Sequence, residues 1–323
     1  MNAMTRVLPR LAPESWRVVY AFLAAIVLFL IGEAVHPGFL GLASVETVLV
    51  IASFVGLVAA GQCFVVLIGG IDLSVPWVLN AGAVLLTTTS LGLDSRAPLA
   101  IVVTLGFGLL AGAANGVGVA WFGVPAVVMT LAMNGIVEGL VLGLTGGFTC
   151  AACSSYAPPL IQHLAHGDLL GVPAALWLWV GIIVLVSAVL SITRFGRATY
   201  ALGNNPRAAA LAGVNVNGTT ILLYAASGLF SALAGIMLVG FGGQASLGMG
   251  DPYLFTSIAA VVIGGVNILG GRGYYLGAAA GAVSLTVLVS VLLALNMPDY
   301  VRSIVYGVVI LALLLAYGRE TES

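Results

Sequence analysis

Ten mostly apolar stretches follow one another along the chain, at about 17–36, 46–68, 76–92, 98–120, 125–145, 174–193, 219–241, 252–268, 275–296 and 300–317. A helix needs about 20 mostly apolar residues to cross a bilayer core, so the pattern predicts an all-α polytopic protein of about ten transmembrane spans. Pro76, Pro98, Pro125, Pro173, Pro252 and Pro298 stand at or near the start of a stretch. Proline suits the first turn of a helix, where its missing N–H would lack a partner anyway. The division between the second and third stretches is ambiguous around Gly69–Pro76. No room remains for a water-soluble domain, so residues 1–323 read as one membrane domain.

Composition strengthens this picture. Apolar residues make up 61% of the 323 and charged residues 7%, where a soluble domain carries roughly a quarter. The 43 glycines suit membrane helices that pack backbone to backbone. All ten basic residues are arginine. Without a lysine the chain cannot carry a conventional GxxxxGKS/T phosphate loop, so an energy source must be another subunit or an ion gradient. No basic tract points to nucleic acid. The N-terminal run after Arg6, Arg10 and Arg17 is long and lacks an A-x-A cleavage site, and reads as an uncleaved first span.

Arginine collects in cytoplasmic loops. With the N-terminus inside, Arg6, Arg10, Arg17, Arg194, Arg197, Arg207, Arg272 and Arg319 fall on the cytoplasmic side, and only Arg96 and Arg302 outside. Both termini are then cytoplasmic, with 1–16 a cytoplasmic leader, 146–173 a periplasmic loop and 194–218 the longest cytoplasmic loop.

Polar residues within apolar stretches are the candidates for function. Thr130, Asn134 and Glu138 recur every four residues and form one stripe on the fifth span. A charge at mid-membrane costs about 2.5–3.5 kcal/mol on insertion scales, so the stripe should face protein or a wet cavity. Two readings stand equally, an interhelical hydrogen-bond cluster and the lining of a pathway, and Gln62 and Asn115 share them. Gly108, Gly112 and Gly116, and the pair Gly277 and Gly281, have the spacing of close helix packing. Two glycine-rich breaks look alike: Ile68-Gly69-Gly70-Ile71-Asp72-Leu73 and Ile263-Gly264-Gly265-Val266-Asn267-Ile268. Paired interruptions in two halves of a transporter point to its functional centre, which adds Asp72 and Asn267 to the pathway candidates.

Cys150 and Cys153 form a CxxC in the outer loop, with His163 and His166 downstream. Zinc, a local disulfide and free thiols are all compatible with this spacing; zinc is the weakest, because His-x-x-His is short for such a site. An oxidising compartment would favour the disulfide. Cys63 lies within a span and reads as a small apolar filler.

In the loop 194–218, residues of about 204–213 predict a short helix. Asn204 or Asn205 can cap it, Pro206 suits its first turn, and Ala208, Ala209, Ala210 and Leu211 favour helix. Gly213 can supply a left-handed stop. Such a helix is marginal alone in water, which suggests that something packs on it, with Arg207 free to pair with an acid.

At these residues the chain resembles the ribose-type permease family of ABC importers. Gly69-Gly70-Ile71-Asp72-Leu73-Ser74 is similar to that family's GGIDLS signature. Thr193–Arg197, Ala201–Asn205 and Ala208–Val216 resemble its cytoplasmic coupling loop. Ala259–Gly265 and Gly270–Gly273 resemble its C-terminal signature. The likeness runs through nearly the whole chain in order. It implies a permease of the bacterial inner membrane that works as a pair with a second copy or a paralogue. It also implies a cytoplasmic ABC ATPase that binds the ATP, and a periplasmic sugar-binding protein. No cofactor of its own is expected. Pro76 stands where the family usually has glycine, and Pro206 where it is more often polar. A monosaccharide is the favoured solute class. The alternative is an ion-coupled secondary transporter with Asp72 or Glu138 as its protonation site.

Overall fold

The computed structural model describes residues 13–148 and 156–298, and in addition Tyr300, Val301, Ile304, Val305, Gly307, Val308 and Leu311, all seven helical. Cys150 and Cys153 lie outside the described residues.

The first half contains α1 (Pro13–Val35), α2 (Leu42–Val66), α3 (Val75–Ser90), α4 (Ala97–Ala120) and α5 (Ala126–Thr145). A short helix α6 (Pro159–His166) and a two-residue hairpin, β1 (Asp168–Leu169) with β2 (Val172–Pro173), lead to α7 (Ala174–Ile192). Then come α8 (Arg194–Asn204), α9 (Pro206–Leu211), α10 (Val216–Gly242), α11 (Tyr253–Ile263) and α12 (Tyr275–Ala294). Among the described residues seven helices are long and apolar enough to cross a membrane: α1, α2, α4, α5, α7, α10 and α12.

The third and eighth predicted spans differ from the others. At 16 and 11 residues, α3 and α11 reach only about 24 and 17 Å at 1.5 Å per residue. Glycine-rich backbone adjoins each of them: residues 67–74 precede α3, and 264–274 follow α11. Irregular backbone is tolerated at membrane depth only where protein surrounds it. Gly70, Asp72, Gly265, Val266 and Gly271 are accordingly buried. The tenth predicted span is described only at its seven scattered residues.

The helix α2 is apolar on every side and sits at the centre, enclosed by α10, α12, α11 and α7. A helix hydrophobic all round belongs in a core. Its middle is pinned by two aromatic side chains: the Tyr275 hydroxyl donates to the Gly56 carbonyl (2.8 Å) and accepts from Trp179 Nε1 (3.2 Å). By contrast α1 and α5 turn Val, Leu and Ile outward along most of their length, as lipid-facing helices do.

Glycine sets the tightest contacts. Along the seam of α4 with α10, a Cβ on Gly108 would overlap the Gly228 carbonyl, one on Gly112 the Tyr224 carbonyl, and one on Gly116 the Ile221 backbone. Gly277 and Gly281 stand in the same relation to Gly264, just past the end of α11, and to Ala260 within it.

The loops hold more structure than their hydropathy suggests. In 146–173, α6 buries Ile161 and Ala165 against α10, and His166 stacks on Phe241 at 4.7 Å. In 194–218 two helices stand where one was expected.

Candidate functional site

The break after α2 begins with a glycine turn. Gly69 takes φ +76°, and the Gly69 and Gly70 amides fold back onto the carbonyls of Val66 (2.8 Å) and Val65 (3.0 Å), ending the helix in the usual glycine manner. The chain then runs to Ser74 without regular structure, so its peptide groups need partners from elsewhere. Gln62, fully buried one helix turn back, supplies them for Asp72 with its amide nitrogen placed toward the Asp72 carbonyl (3.2 Å) and its oxygen toward the Asp72 N–H (3.3 Å), the orientation of the two that satisfies both groups.

The Asp72 carboxyl group, 1% exposed, accepts three hydrogen bonds. Ser74 N–H (2.9 Å) and Ser74 Oγ (2.6 Å) donate to Oδ1, and Ser227 Oγ on α10 donates to Oδ2 at 2.7 Å. Asn115 on α4 donates to Ser74 Oγ at 2.9 Å. Thr130 on α5 donates to the Ala126 carbonyl (2.9 Å) and to that of Ile71 (3.3 Å). Four polar residues singled out in the sequence, Gln62, Asp72, Asn115 and Thr130, therefore meet at one buried point that ties α2, α3, α4 and α5 to α10.

The other pathway candidates lie apart. Asn134 and Glu138 are half-buried further along α5, and the Asn134 Oδ1 has no partner among the described residues. Among the described residues, the α5 glycines Gly135, Gly139 and Gly143 would meet nothing within 4 Å if a Cβ were added. Asn267 builds a turn: its Oδ1 accepts from Leu269 N–H (3.0 Å), its carbonyl from Gly270 N–H (2.9 Å), and its own N–H donates to the Arg272 carbonyl (2.9 Å).

Three residues of consequence carried no signal in the sequence. Ser227 and Tyr224 are on α10; the Tyr224 hydroxyl is buried and has no hydrogen-bond partner among the described residues. Asn80 on α3 sets its side-chain amide against the N–H groups of Gly248 and Met249, which its oxygen satisfies when oriented toward them, holding the loop between α10 and α11 over α3.

The two breaks meet each other and α8 at one junction. The Gly271 N–H donates to the Leu67 carbonyl at 2.8 Å. A Cβ on Gly203, next to the end of α8, would overlap both the Leu67 carbonyl and the Gly271 N–H. Asn204 Nδ2 donates to the Gly271 carbonyl (3.2 Å), and the Tyr200 hydroxyl to that of Gly273 (2.7 Å). The last turns of α8 thus rest on the end of α2 and on the second break together.

Beyond this junction α9 is capped by Asn205, whose Oδ1 accepts from the N–H groups of Arg207 and Ala208, both at 3.0 Å. Asn204 belongs to the preceding helix. Pro206 opens α9, and Gly213 follows it at φ +86°. Ala209 faces inward and is 3% exposed, while Arg207, Ala208 and Ala210 are exposed and Leu211 is 91% exposed.

Among the described residues no cluster of three or more His, Cys, Asp or Glu side chains could hold a metal. Cys63 is buried.

A family model described as the branched-chain amino acid transport system / permease component matches residues 44–314. The chain is 37% identical over 303 residues to the autoinducer 2 import system permease protein of Escherichia coli (strain K12 / DH10B), covering 94% of this chain and 87% of that one. It is 34% identical over 297 residues to the ribose import permease protein of Haemophilus influenzae, covering 92% and 91%. No solved structure matches. The chain belongs to this permease family, that of the membrane subunits of ABC importers, and within it stands beside the permeases for sugar import.

Proposed function

We propose that the chain is the translocating subunit of an importer for a monosaccharide-like solute such as ribose, driven by a separate ATPase that docks on α9. The observation that carries this reading is the build of the α8–α9 segment. A six-residue helix is too short to persist alone in water, yet α9 is capped at both ends and held out with Arg207, Ala210 and Leu211 exposed. An exposed leucine on so short a helix suits a hydrophobic groove on a partner. The last turns of α8 rest on both glycine-rich breaks, so a displacement of this segment reaches the polar centre at Asp72 directly.

The rest of the assembly follows from the same reading. ATP is bound by the partner, and this subunit needs no cofactor of its own. The chain is one transmembrane domain of the bacterial inner membrane with both termini cytoplasmic, and a periplasmic sugar-binding protein delivers the solute to the opposite face. A second copy or a paralogue packs against the open side of α5. There Gly135, Gly139 and Gly143 allow backbones to approach, and Asn134 and Glu138 gain partners and flank the route.

The test is uptake of labelled ribose or autoinducer 2 by vesicles carrying the complete importer. Uptake should require ATP and survive dissipation of the ion gradients, and Leu211→Asp should abolish it while the permease stays folded. Transport by the permease alone, collapsing with the ion gradient, would instead establish the ion-coupled alternative centred on Asp72.

A further inference from the structure

On α10, the residues Asn217, Thr220, Tyr224, Ser227 and Ser231 are spaced three, four, three and four apart. This spacing keeps them on one face of the helix. The face begins exposed at Asn217 and ends buried at Ser227, on the carboxyl group of Asp72. Alongside its first half lies a cavity of about 260 Å³, lined by Gly70, Leu202, Pro206, Asn217, Thr220 and Tyr224 among others. Its floor is the first glycine-rich break, and one wall is made by the helices α8 and α9 themselves.

The chemistry of the lining is specific. None of the side chains that line it is charged. The Tyr224 hydroxyl is fully buried, lies where a Cβ on Gly70 would have to go, and among the described residues has neither a donor nor an acceptor partner. A buried hydroxyl left unpaired is costly, a cost a visiting ligand can remove. Thr220 Oγ1 donates to the Val216 carbonyl (2.9 Å) and keeps its lone pairs free, and the Asn217 amide is exposed. Pockets for drug-sized ligands run from roughly 300 to 1,000 Å³, so this one suits something smaller.

We infer that this cavity is a subsite for a neutral, hydroxyl-bearing solute of monosaccharide size, held within one permease subunit between Asp72 and the coupling helices. It rests on the importer reading and adds a place within the protomer where the solute pauses. Tyr224 offers it both a donor and an acceptor, Thr220 an acceptor, and Asn217 one of each. The uncharged walls select against phosphorylated sugars, because an anion would be desolvated there without a counter-charge. Because Leu202 and Pro206 form part of the wall, movement of α8 and α9 changes the shape of the site.

The test uses the full-length permease in liposomes, with Cys150 and Cys153 changed to serine and a reporter thiol introduced by Asn217→Cys. Its alkylation by N-ethylmaleimide is followed with ribose, autoinducer 2 or ribose 5-phosphate present. Whichever neutral probe the complete importer takes up should slow labelling, ribose 5-phosphate should not, and a thiol introduced by Leu211→Cys, outside the cavity, should keep its rate. Adding Tyr224→Phe should raise the half-protecting concentration about fivefold, the worth of one neutral hydrogen bond. It should leave the melting temperature unchanged or higher, since the hydroxyl it deletes is unpaired. Labelling indifferent to the transported probe, or protection unaltered by Tyr224→Phe, overturns the subsite and leaves the importer intact. Uptake of neither probe by the complete wild-type importer overturns the sugar reading, and this occupant with it.

Discussion

Replacing Asp72 by leucine tests the polar centre most directly. The carboxyl group accepts from the Ser74 N–H, the Ser74 hydroxyl and the Ser227 hydroxyl, and all three donors are buried. Leucine satisfies none of them. The Ser227 hydroxyl can turn back to a carbonyl of its own helix, as membrane serines commonly do. The Ser74 hydroxyl still accepts from Asn115 but loses its own acceptor. The Ser74 N–H sits at the first turn of α3, where no intrahelical carbonyl is available to it. Two donors are therefore stranded, at about 1–3 kcal/mol each, and the expected loss is about 3–4 kcal/mol. Asparagine retains the shape and one oxygen acceptor, and the serine hydroxyls can rotate to receive its amide, so Asp72→Asn should cost about 1 kcal/mol. Thermal unfolding of the purified permease, followed by the loss of its monodisperse size-exclusion peak, should place Asp72→Leu roughly 5–10 °C below wild type, with Asp72→Asn close to it. Equal midpoints for the two variants would refute the claim that these hydrogen bonds hold α2, α3 and α10 together.

Other expectations follow from particular contacts. Gly112→Leu forces a side chain into the Tyr224 carbonyl and should destabilise by more than the 1–3 kcal/mol typical of overpacking; a variant that folds and transports normally would contradict the seam. Ala209→Asp buries a carboxylate and should lower the folded yield, whereas Ala210→Asp, on the exposed side of α9, should leave folding intact and uncouple ATP hydrolysis from uptake. Equal behaviour of the two would remove the inward and outward assignment of that helix. Reporter fusions at Asn205 and at Leu170, both exposed in short connecting segments, should score on opposite faces of the membrane; one shared face would overturn the orientation drawn from the arginines. Full alkylation of Cys150 and Cys153 without prior reduction would rule out the disulfide between them.

The sequence exposed the members of the polar centre that are conspicuous in an apolar span, and hid the modest ones. Gln62, Asp72 and Asn115 stand out because an amide or carboxyl in an apolar stretch must find a partner, and Thr130 through its four-residue spacing from Asn134 and Glu138. Ser227 does not, since a serine in a helix can satisfy itself on the preceding turn, and nothing local says that it reaches another element. Hydropathy also ran past the true end of α11. Val266 and Ile268 are apolar, yet Gly265 takes φ +84° and the helix has already ended at Ile263. The helix α9 was readable from Asn205, Pro206 and Gly213, whose roles are local. Which of its alanines faces inward was not, because six residues complete fewer than two turns and define no hydrophobic stripe. In 146–173, Leu160, Ile161, Leu164 and Ala165 have helical spacing, but the eight residues of Pro159–His166 are too few to distinguish a helix from an ordinary loop by pattern alone.

The seam between α4 and α10 has a mechanical corollary. Packed side chains can yield by hopping between rotamers, but a contact made of two backbones has no rotamers to redistribute. Over the turns from Gly108 to Gly116 the pair is therefore a stiff double beam. Asn115 is carried on one member, Tyr224 and Ser227 on the other. Side-chain rearrangement cannot prise these groups apart. If the polar centre opens during the working cycle, the beam must either travel as one piece, leaving α2 and α3 behind, or slide by a whole glycine step.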